Sequence, residues 1–539
     1  MKKRWRIALV GVSLALVAAA CGGSSDGGSD TGSDAASDVS AGALPKATST
    51  SAAAEESFDE NATLRFAYRV SPTTGLDPAK ASSSFDMTTL ALVYDRLVHV
   101  NNAGDPEPGL AESWSFVDGD TALELKLRPD VVFQDGEPFT ADAVKISLDR
   151  NRGATFEQSA VKSDLAMVES VEVVDPLTVK LAFKAGVPGG PLPLVLSDRA
   201  GMIASPKALQ RPDFDQVGGG AGMYKPVEFI VANKLVAERW DGYWAPETVK
   251  AARVELTFNP DSNTRLNGLR SGQFDIVEID PAQRAEADSA GLATIGGKSL
   301  LFYHLHLNRA DPQVAKKEVR QALNMAIDRE ALVQAMTGGE GEPGVQPFPE
   351  GYWAYNPDIP ADTYQYDPES AKALLAAAGV PEGYKLPAIV SALPVNTQIA
   401  EIVKAQLSDV GLDLELLPTQ AEQVPKALYT DKLGLGVVPW GGRADPAQTT
   451  NALYTAAATT NPGGHSTPRV EELQLAAAQP GDPADRAAAM HELVKEITDE
   501  ALDVVLYYPY NPYAMSDKVS GMEVWITGKP EFRNVGILR

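Results

Sequence analysis

The chain has a single cysteine, Cys21, among its 539 residues, so no intramolecular disulfide can form. Beyond the first twenty residues, no stretch approaches the ~20 consecutive apolar residues of a membrane-spanning helix. Positive charge is scarce, because 47 Lys and Arg stand against 72 Asp and Glu and leave a formal charge of −25. Without a basic patch that could displace counterions, a nucleic-acid partner is excluded. Catalytic signatures such as His-Glu-x-x-His and Gly-x-Ser-x-Gly are missing too, so we expect no enzyme, no cofactor and no metal.

The N-terminal segment has the composition of an export signal. Four of residues 2–6 are basic, and Ile7–Ala20 is an apolar run that is short for a membrane span. The segment runs into Val-Ala-Ala-Ala-Cys21, which resembles a bacterial lipobox, although Ala18 stands where that motif usually has Leu. We predict a signal peptide over residues 1–20 and lipidation of Cys21, whose two acyl chains would suffice for stable anchoring. The alternative is an ordinary secretory cleavage site beside an incidental thiol.

Residues 21–59 are mainly Gly, Ser, Ala, Thr and Asp, with almost no large apolar side chains. Such a segment cannot bury enough surface to fold, so we predict a flexible tether. A chain of this length reaches about 30–35 Å on average, enough to hold a folded domain clear of lipid headgroups. We therefore expect the protein at the extracytoplasmic face of the bacterial cell membrane, attached through its lipid anchor only.

The remaining chain alternates helix and strand signals. Residues 63–69 alternate apolar and other side chains, as a half-buried strand does. Thr140 with an acidic residue behind it indicates a helix start, and Asp367 followed by Pro and an Ala/Leu run to Gly379 indicates a complete helix. One helical face is predicted by the spacing of five apolar residues, namely Val319, Ala322, Leu323, Ala326 and Ile327. Because helices and strands interleave throughout, the predicted class is α/β.

Seven sequence blocks together resemble a known protein family. They are Leu76-Asp77-Pro78; Pro108-Gly-Leu-Ala-Glu-Ser-Trp114; Leu127-Arg128; Val132-Phe-Gln-Asp-Gly-Glu-Pro-Phe-Thr-Ala-Asp142; Arg239-Trp-Asp-Gly-Tyr-Trp244; Arg265-Leu-Asn-Gly-Leu-Arg-Ser-Gly-Gln-Phe-Asp-Ile276; and Val319-Arg-Gln-Ala-Leu-Asn-Met-Ala-Ile-Asp-Arg329. Each block is weak by itself, but their order along the chain is that of the bacterial extracellular solute-binding proteins of family 5, the peptide, nickel and opine class. The resemblance covers nearly the whole chain after the tether.

The resemblance implies a two-lobe fold of the periplasmic-binding-protein type, with a hinge and an extra subdomain inserted in the first lobe. By position, lobe I would comprise residues 60–94, 223–300 and 504–539, and its inserted subdomain residues 95–222. Lobe II would comprise residues 301–503. The implied function is capture of a peptide or peptide-like solute by hinge closure, followed by delivery to the permease subunits of an ABC importer. We expect a monomer.

Two segments are expected to face each other across the cleft. The first is the loop after Leu-Asp-Pro that contains Ser82, Ser83, Ser84 and Phe85, whose backbone can pair with an extended ligand; the alternative is a Ser-rich surface loop. The second is a strand end that contains Trp440, Gly441, Gly442, Arg443 and Asp445. Trp440 is alternatively a core residue, but the two glycines suggest that something approaches the backbone closely.

One residue departs from the peptide-binding members of the family. In those proteins an aspartate a few residues after the tryptophan holds the α-ammonium of the ligand, whereas this chain has Arg443 there or has lost part of the loop. A guanidinium cannot accept a hydrogen bond from an ammonium, so we expect a ligand with an anionic or acceptor-rich group at this end. The alternative is that Arg443 points outward and Asp445 takes over the ammonium.

Two further hypotheses stay open at this level. His304 and His306 alternate on a predicted strand and therefore share a face, as metal ligands or as core histidines. The same scaffold would also suit a surface ligand sensor without a permease, or an extracellular hydrolase, although the sequence shows no nucleophile or metal constellation for the latter.

Overall fold

A computed structural model describes residues 57–72, 74–81, 86–101, 104–360, 362–524 and 527–539, without the side chain of Glu422. The predicted signal peptide, Cys21 and nearly all of the tether lie outside the described residues, and so does the loop Ser82, Ser83, Ser84 and Phe85. Within the described ranges, no helix combines the length and the apolar character needed to cross a bilayer.

The strands are given in chain order. They are β1 (Thr63–Tyr68), β2 (Val98–Val100), β3 (Pro106–Pro108), β4 (Ala111–Val117), β5 (Ala122–Leu127), β6 (Val168–Asp175), β7 (Thr178–Phe183), β8 (Tyr224–Ile230), β9 (Lys234–Arg239), β10 (Arg253–Phe258), β11 (Ile276–Glu278), β12 (Ala293–Ile295), β13 (Phe302–His306), β14 (Gly341–Pro343), β15 (Tyr384–Ser391), β16 (Leu412–Thr419), β17 (Leu435–Trp440), β18 (Val504–Pro509), β19 (Tyr513–Met515), β20 (Val519–Ser520), β21 (Glu523–Val524), β22 (Pro530–Glu531) and β23 (Gly536–Ile537).

The helices are distributed between these strands. They are α1 (Met87–Val93), α2 (Ala141–Asn151), α3 (Leu192–Val195), α4 (Phe214–Val217), α5 (Ser262–Arg270), α6 (Arg284–Ser289), α7 (Lys317–Met325), α8 (Arg329–Thr337), α9 (Pro368–Ala377), α10 (Pro394–Asp409), α11 (Pro446–Tyr454), α12 (Pro468–Ala477) and α13 (Pro483–Asp499).

The helix signals read from the sequence are confirmed. Helix α2 begins after Thr140, whose hydroxyl accepts a hydrogen bond from a backbone N–H of the first turn at 3.4 Å. Helix α9 begins after Asp367, which accepts from the backbone N–H of Ser370 at 2.9 Å, and it is followed by Gly379 at a φ of +69°. The five apolar residues predicted to share a face around α7 are all buried. Capping and apolar spacing therefore predicted these elements correctly.

The first sheet has seven strands in the order β12-β19-β11-β1-β10-β9-β8. Strand β1 lies in the middle and pairs parallel with β10 and with β11. The predicted alternation holds over the first half of β1, where Leu64 is buried and Arg65 is partly exposed. It is wrong for the second half, where Phe66, Ala67 and Tyr68 are all buried because this central strand is covered on both faces. Most of the buried residues of β1 belong to one core, whereas Ala67 packs in a second core with Leu266 and Phe274.

The second sheet has six strands in the order β14-β18-β13-β17-β15-β16. The chain passes from the first sheet to the second between Ile295 and Phe302, and it returns between Pro509 and Tyr513. From the sequence we expect the return at residue 504, but β18 pairs antiparallel with β13 and β14 of the second sheet. Every residue of β18 is buried, and a fully buried apolar strand does not reveal from its sequence which sheet it joins.

A third, four-stranded sheet of order β4-β5-β7-β6 lies within the predicted insertion, residues 95–222. It is antiparallel throughout and packs against α2, with Leu125, Val144 and Leu181 buried between them. The insertion therefore has a hydrophobic core of its own.

The Leu-Asp-Pro block connects the insertion to the first sheet. Asp77 is fully buried and accepts a hydrogen bond from the backbone N–H of Ala79 at 3.0 Å. Its two carboxylate oxygens also accept from the guanidinium of Arg150 in α2, at 2.7 and 2.5 Å. This buried ion pair holds the turn Pro78–Lys80, directly before the predicted ligand loop, against the insertion.

Candidate functional site

Trp440 is the last residue of β17 and lies in a buried core, as the alternative interpretation of it held. Its ring is 8% exposed and packs in a core with Phe302 and Leu453, and its indole N–H donates to the Thr449 hydroxyl of α11 at 3.1 Å. The guanidinium carbon of Arg443 lies 5.2 Å from the ring centroid, within the range of a cation–π contact. Trp440 is therefore a core residue that also supports Arg443.

The two glycines after Trp440 differ in environment. Gly441 is half-buried, whereas Gly442 is buried and has a φ of +72°, in the left-handed region. A β-carbon at Gly442 would lie 2.5 Å from the β-carbon of Leu300 and 2.9 Å from its carbonyl oxygen. The close approach predicted from the glycines is thus made at Gly442 by the chain itself, at its first crossing between the sheets.

Arg443 and Asp445 have opposite surroundings. Arg443 is half-buried, and within the described part of the chain it makes no hydrogen bond and no ion pair. Asp445 is fully buried, caps α11, and accepts from the guanidinium of Arg486 with both oxygens at 2.8 Å. Its carboxylate is already engaged, which argues against the alternative in which Asp445 holds a ligand ammonium.

The insertion contributes an aspartate and an arginine next to the predicted ligand loop. Arg199 is 2% exposed and donates to the carbonyl oxygen of Ala81 at 2.6 Å and to the carboxylate of Asp198 at 3.0 Å. Ala81 immediately precedes Ser82, so the described end of that loop lies against Arg199. Burial opposes ionisation of Asp198, but the charges of Arg199, Arg443 and Lys529 outweigh it and lower the pKa of this carboxyl.

Lys529, from the C-terminal segment of the chain, lies in the same part of the structure. It is 2% exposed, and its ammonium donates to the carbonyl oxygen of Thr527 at 3.1 Å. Burial lowers the pKa of Lys529 to about 7, Asp198 opposes that shift, and Arg199 and Arg443 add to it. A lysine in such an environment changes its charge near neutral pH.

Lys529 and Arg443 belong to two loops, and a glycine in each loop packs against the same short segment of the chain. A β-carbon at Gly528, which has a φ of +78°, would lie 3.0 Å from the hydroxyl of Ser299. Gly442 makes its close approach to Leu300, the next residue. Each cation directly follows its glycine, so both lie at the first crossing, between the first sheet and the second.

The insertion also touches the helices of the second sheet. The backbone N–H of Gly190 donates to the carbonyl oxygen of Ala478, after α12, at 3.0 Å. Ala444 packs with Val100 and Leu194 of the insertion in a small buried cluster. Arg443 therefore lies between the end of β17 and Ala444, the residue through which this segment contacts the insertion.

The two histidines of β13 share one face, as predicted, with ring centroids 4.7 Å apart. His304 bonds through Nδ1 to the carboxylate of Asp503 at 2.7 Å, and the Tyr454 hydroxyl donates to the same oxygen at 3.0 Å. His306 bonds through Nε2 to the carbonyl oxygen of Thr460, and burial lowers its pKa to about 3. The side chains of His304, His306 and Asp503 are close enough to hold a metal. Both carboxylate oxygens of Asp503 and one nitrogen of each ring are already hydrogen-bonded, whereas Nε2 of His304 is buried with no partner among the described residues.

Asp198, Arg199 and Lys529 are the residues of this site that sequence reasoning missed. Asp198 and Arg199 lie more than a hundred residues after the predicted loop, and Lys529 follows Gly528 near the C-terminus. The Gly528-Lys529-Pro530 turn is the one local sign that this lysine has a special backbone setting.

Comparisons with known proteins match most of the chain. The family model described as bacterial extracellular solute-binding proteins, family 5 Middle, matches residues 105–462. The glutathione-binding protein GsiB of Pectobacterium atrosepticum is 28% identical over 362 residues, which are 65% of this chain and 68% of that protein. The heme-binding protein A of Haemophilus influenzae is 27% identical over 390 residues, 66% of this chain and 70% of that protein.

The fold itself is found in solved structures. The ABC transporter-associated periplasmic binding protein DppA of Helicobacter pylori, in complex with the peptide STSA, superposes with a TM-score of 0.79. The match covers 89% of this chain and 99% of DppA at 23% sequence identity. The α/β fold of the periplasmic-binding-protein type is thereby confirmed.

Proposed function

The chain belongs to family 5 of the bacterial extracellular solute-binding proteins, and on that premise we propose that it captures a peptide or peptide-like solute for an ABC importer. The family resemblance read from the sequence is confirmed. The relatives are solute-binding proteins rather than enzymes, which also confirms that the chain is not an enzyme. The particular solute and the way it is delivered are part of the proposal.

The observation that carries the proposal is the position of Arg443 and Lys529. Both lie where the chain crosses between the first sheet and the second, and Ala444, next to Arg443, packs against the insertion. A solute at this place would contact the first sheet, the second sheet and the insertion at once. Its binding would therefore draw the two lobes together.

We propose lobe boundaries that follow the sheets. Lobe I would comprise residues 60–94, 223–300 and 510–539, with residues 95–222 as its insertion, and lobe II residues 301–509. The two crossings, residues 296–301 and 510–512, would then form the hinge. They are short connections between separate sheets, so a rotation there need not disturb either sheet.

We also propose that the protein acts at the outer face of the cell membrane as a monomer, anchored by lipid on Cys21. The support is the basic and apolar N-terminal segment, the Ala-Ala-Ala-Cys21 site and the tether composition of residues 21–59. Its partner would be the permease of an ABC importer, which recognises the closed form.

The first test of the proposed function identifies the solute that the protein binds in the cell. We expect a small molecule to co-purify with the protein, to be released by denaturation and to be identified by mass spectrometry. Adding it back to ligand-free protein should reduce the radius of gyration in solution scattering and raise the melting temperature by mass action. Arg469→Gln, on an exposed turn of α12, is the control that should behave as wild type. A saturating solute that causes no compaction would contradict capture by hinge closure.

A further inference from the structure

We propose that the solute carries one anionic group, a carboxylate or a phosphate, which binds between Lys529 and Arg443. The inference rests on the proposed function, because it concerns the same site and names the chemistry of its ligand.

Geometry brings the two cations together. The loops that carry them pack on neighbouring residues of the first crossing, Ser299 and Leu300, through glycines that leave no room for a side chain. One cation belongs to the C-terminal segment after the first sheet, and the other to the end of β17 in the second sheet. An anion between them would therefore contact both lobes.

Arg443 differs from the buried arginines of the second lobe. Those residues donate to backbone carbonyl oxygens, which satisfy a guanidinium without a ligand: Arg309 to Leu502 at 2.7 Å, Arg320 to Glu500 at 2.8 Å, and Arg329 to Val505 at 2.8 Å. Within the described residues, Arg443 has no such acceptor and lies only over the Trp440 ring. A half-buried guanidinium whose donors are unused is suited to a bidentate anion.

The charge around Lys529 supports the same conclusion. The charged groups that act on it are Asp198 with an attractive effect and Arg199, Arg443 and Arg69 with a repulsive one. Two of these arginines have carboxylate partners of their own: Arg69 pairs with Glu278 at 3.1 Å. Arg199 pairs with Asp198 at 3.0 Å and with Asp164 at 3.8 Å. Arg443 and Lys529 repel each other, and an anionic ligand group between them would relieve that repulsion.

An anion next to Lys529 also favours the protonated amine. Because the pKa of Lys529 in the free protein is about 7, binding should take up a proton above that pH. The affinity for an anionic ligand should then fall as the pH rises from about 6 to 9, up to tenfold for each unit by which the ligand raises the pKa.

The experiment uses four dipeptide amides that differ only at the N-terminus. N-succinyl-Ala-Ala-amide carries one carboxylate, N-phosphonoacetyl-Ala-Ala-amide carries one phosphonate, N-acetyl-Ala-Ala-amide is neutral, and Ala-Ala-amide is a cation. Calorimetry on the full chain measures each affinity for wild type, Lys529→Met and Arg443→Gln. Lys518→Met and Arg469→Gln are controls, since both residues are exposed.

We expect wild type to bind at least one anionic probe about tenfold to a hundredfold more tightly than the acetyl probe, as a charged hydrogen bond predicts. Either site variant should remove most of that preference, and Lys529→Met should also remove its pH dependence and the proton uptake. The better of the two anionic probes identifies carboxylate or phosphate chemistry.

Equal affinity for the acetyl and the anionic probes overturns the inference, and so does a preference that survives in both site variants. Failure of both anionic probes to bind at millimolar concentration overturns it as well. None of these results touches the importer function, which is tested separately by the co-purified solute and by compaction.

Discussion

Replacing Lys529 by methionine should stabilise the ligand-free protein, and by an amount that depends on pH. The lysine is 2% exposed, and its pKa falls from the usual 10.5 to about 7 because burial disfavours the charged amine. Above pH 10.5 the amine is neutral whether the chain is folded or unfolded. As the pH falls from 10.5 to 7, the unfolded chain takes up a proton that the folded chain does not, so wild type loses stability across this window.

The size of the effect follows from the pKa difference. At about 1.4 kcal/mol for each unit, the shift of Lys529 corresponds to a loss of about 5 kcal/mol that is complete near pH 7. Methionine has a similar length and no charge, but it leaves the carbonyl oxygen of Thr527 without this donor, which costs about 1 kcal/mol. We therefore expect Lys529→Met to exceed wild type by about 4 kcal/mol in free energy of unfolding at pH 7.

Urea unfolding of ligand-free protein, followed by tryptophan fluorescence between about pH 6 and pH 10, measures this difference. The advantage of Lys529→Met should be constant below pH 7, shrink above it and disappear near pH 10. Lys518→Met, which changes an exposed lysine of the same C-terminal segment, should equal wild type at every pH. A difference between Lys529→Met and wild type that does not vary with pH would refute the assignment of a buried, destabilised ammonium.

The remaining predictions concern the backbone, the insertion and the anchor. Gly442→Ala should lower the free energy of unfolding by about 2–3 kcal/mol, because the added methyl group meets Leu300 and the backbone is left-handed. Gly379→Ala is the control: Gly379 has a similar φ but open space around it, so this variant should lose only about 1 kcal/mol. Equal losses in the two variants would exclude the close contact at Gly442. Asp77→Asn should cost about 3–5 kcal/mol by leaving the Arg150 guanidinium without its carboxylate, and a loss below 1 kcal/mol in the same urea assay would contradict that. In cell fractionation, Cys21→Ala should release the protein from membranes or leave an uncleaved precursor. A variant that is still processed and membrane-bound would refute the lipid anchor.

The sequence by itself determined the local elements and the family. Helix α9 is predicted by Asp367, Pro368 and Gly379, and strand β1 by its alternation, because caps and periodic burial act over a few neighbouring residues. Family membership was equally accessible, since the seven blocks keep their order along the chain. The type of fold followed from that membership and is what the solved relatives show.

Tertiary structure alone decided where the charges lie. Asp445 is engaged by Arg486, which is 41 residues away in sequence, and a turn with Asp445 as a helix cap looks the same with or without that partner. Lys529 joins Arg443 only because two distant glycine loops pack on one crossing segment. Likewise β18 joined the second sheet although its sequence suits either one. Such choices depend on contacts between residues that are far apart in the chain, and short-range propensity carries no information about them.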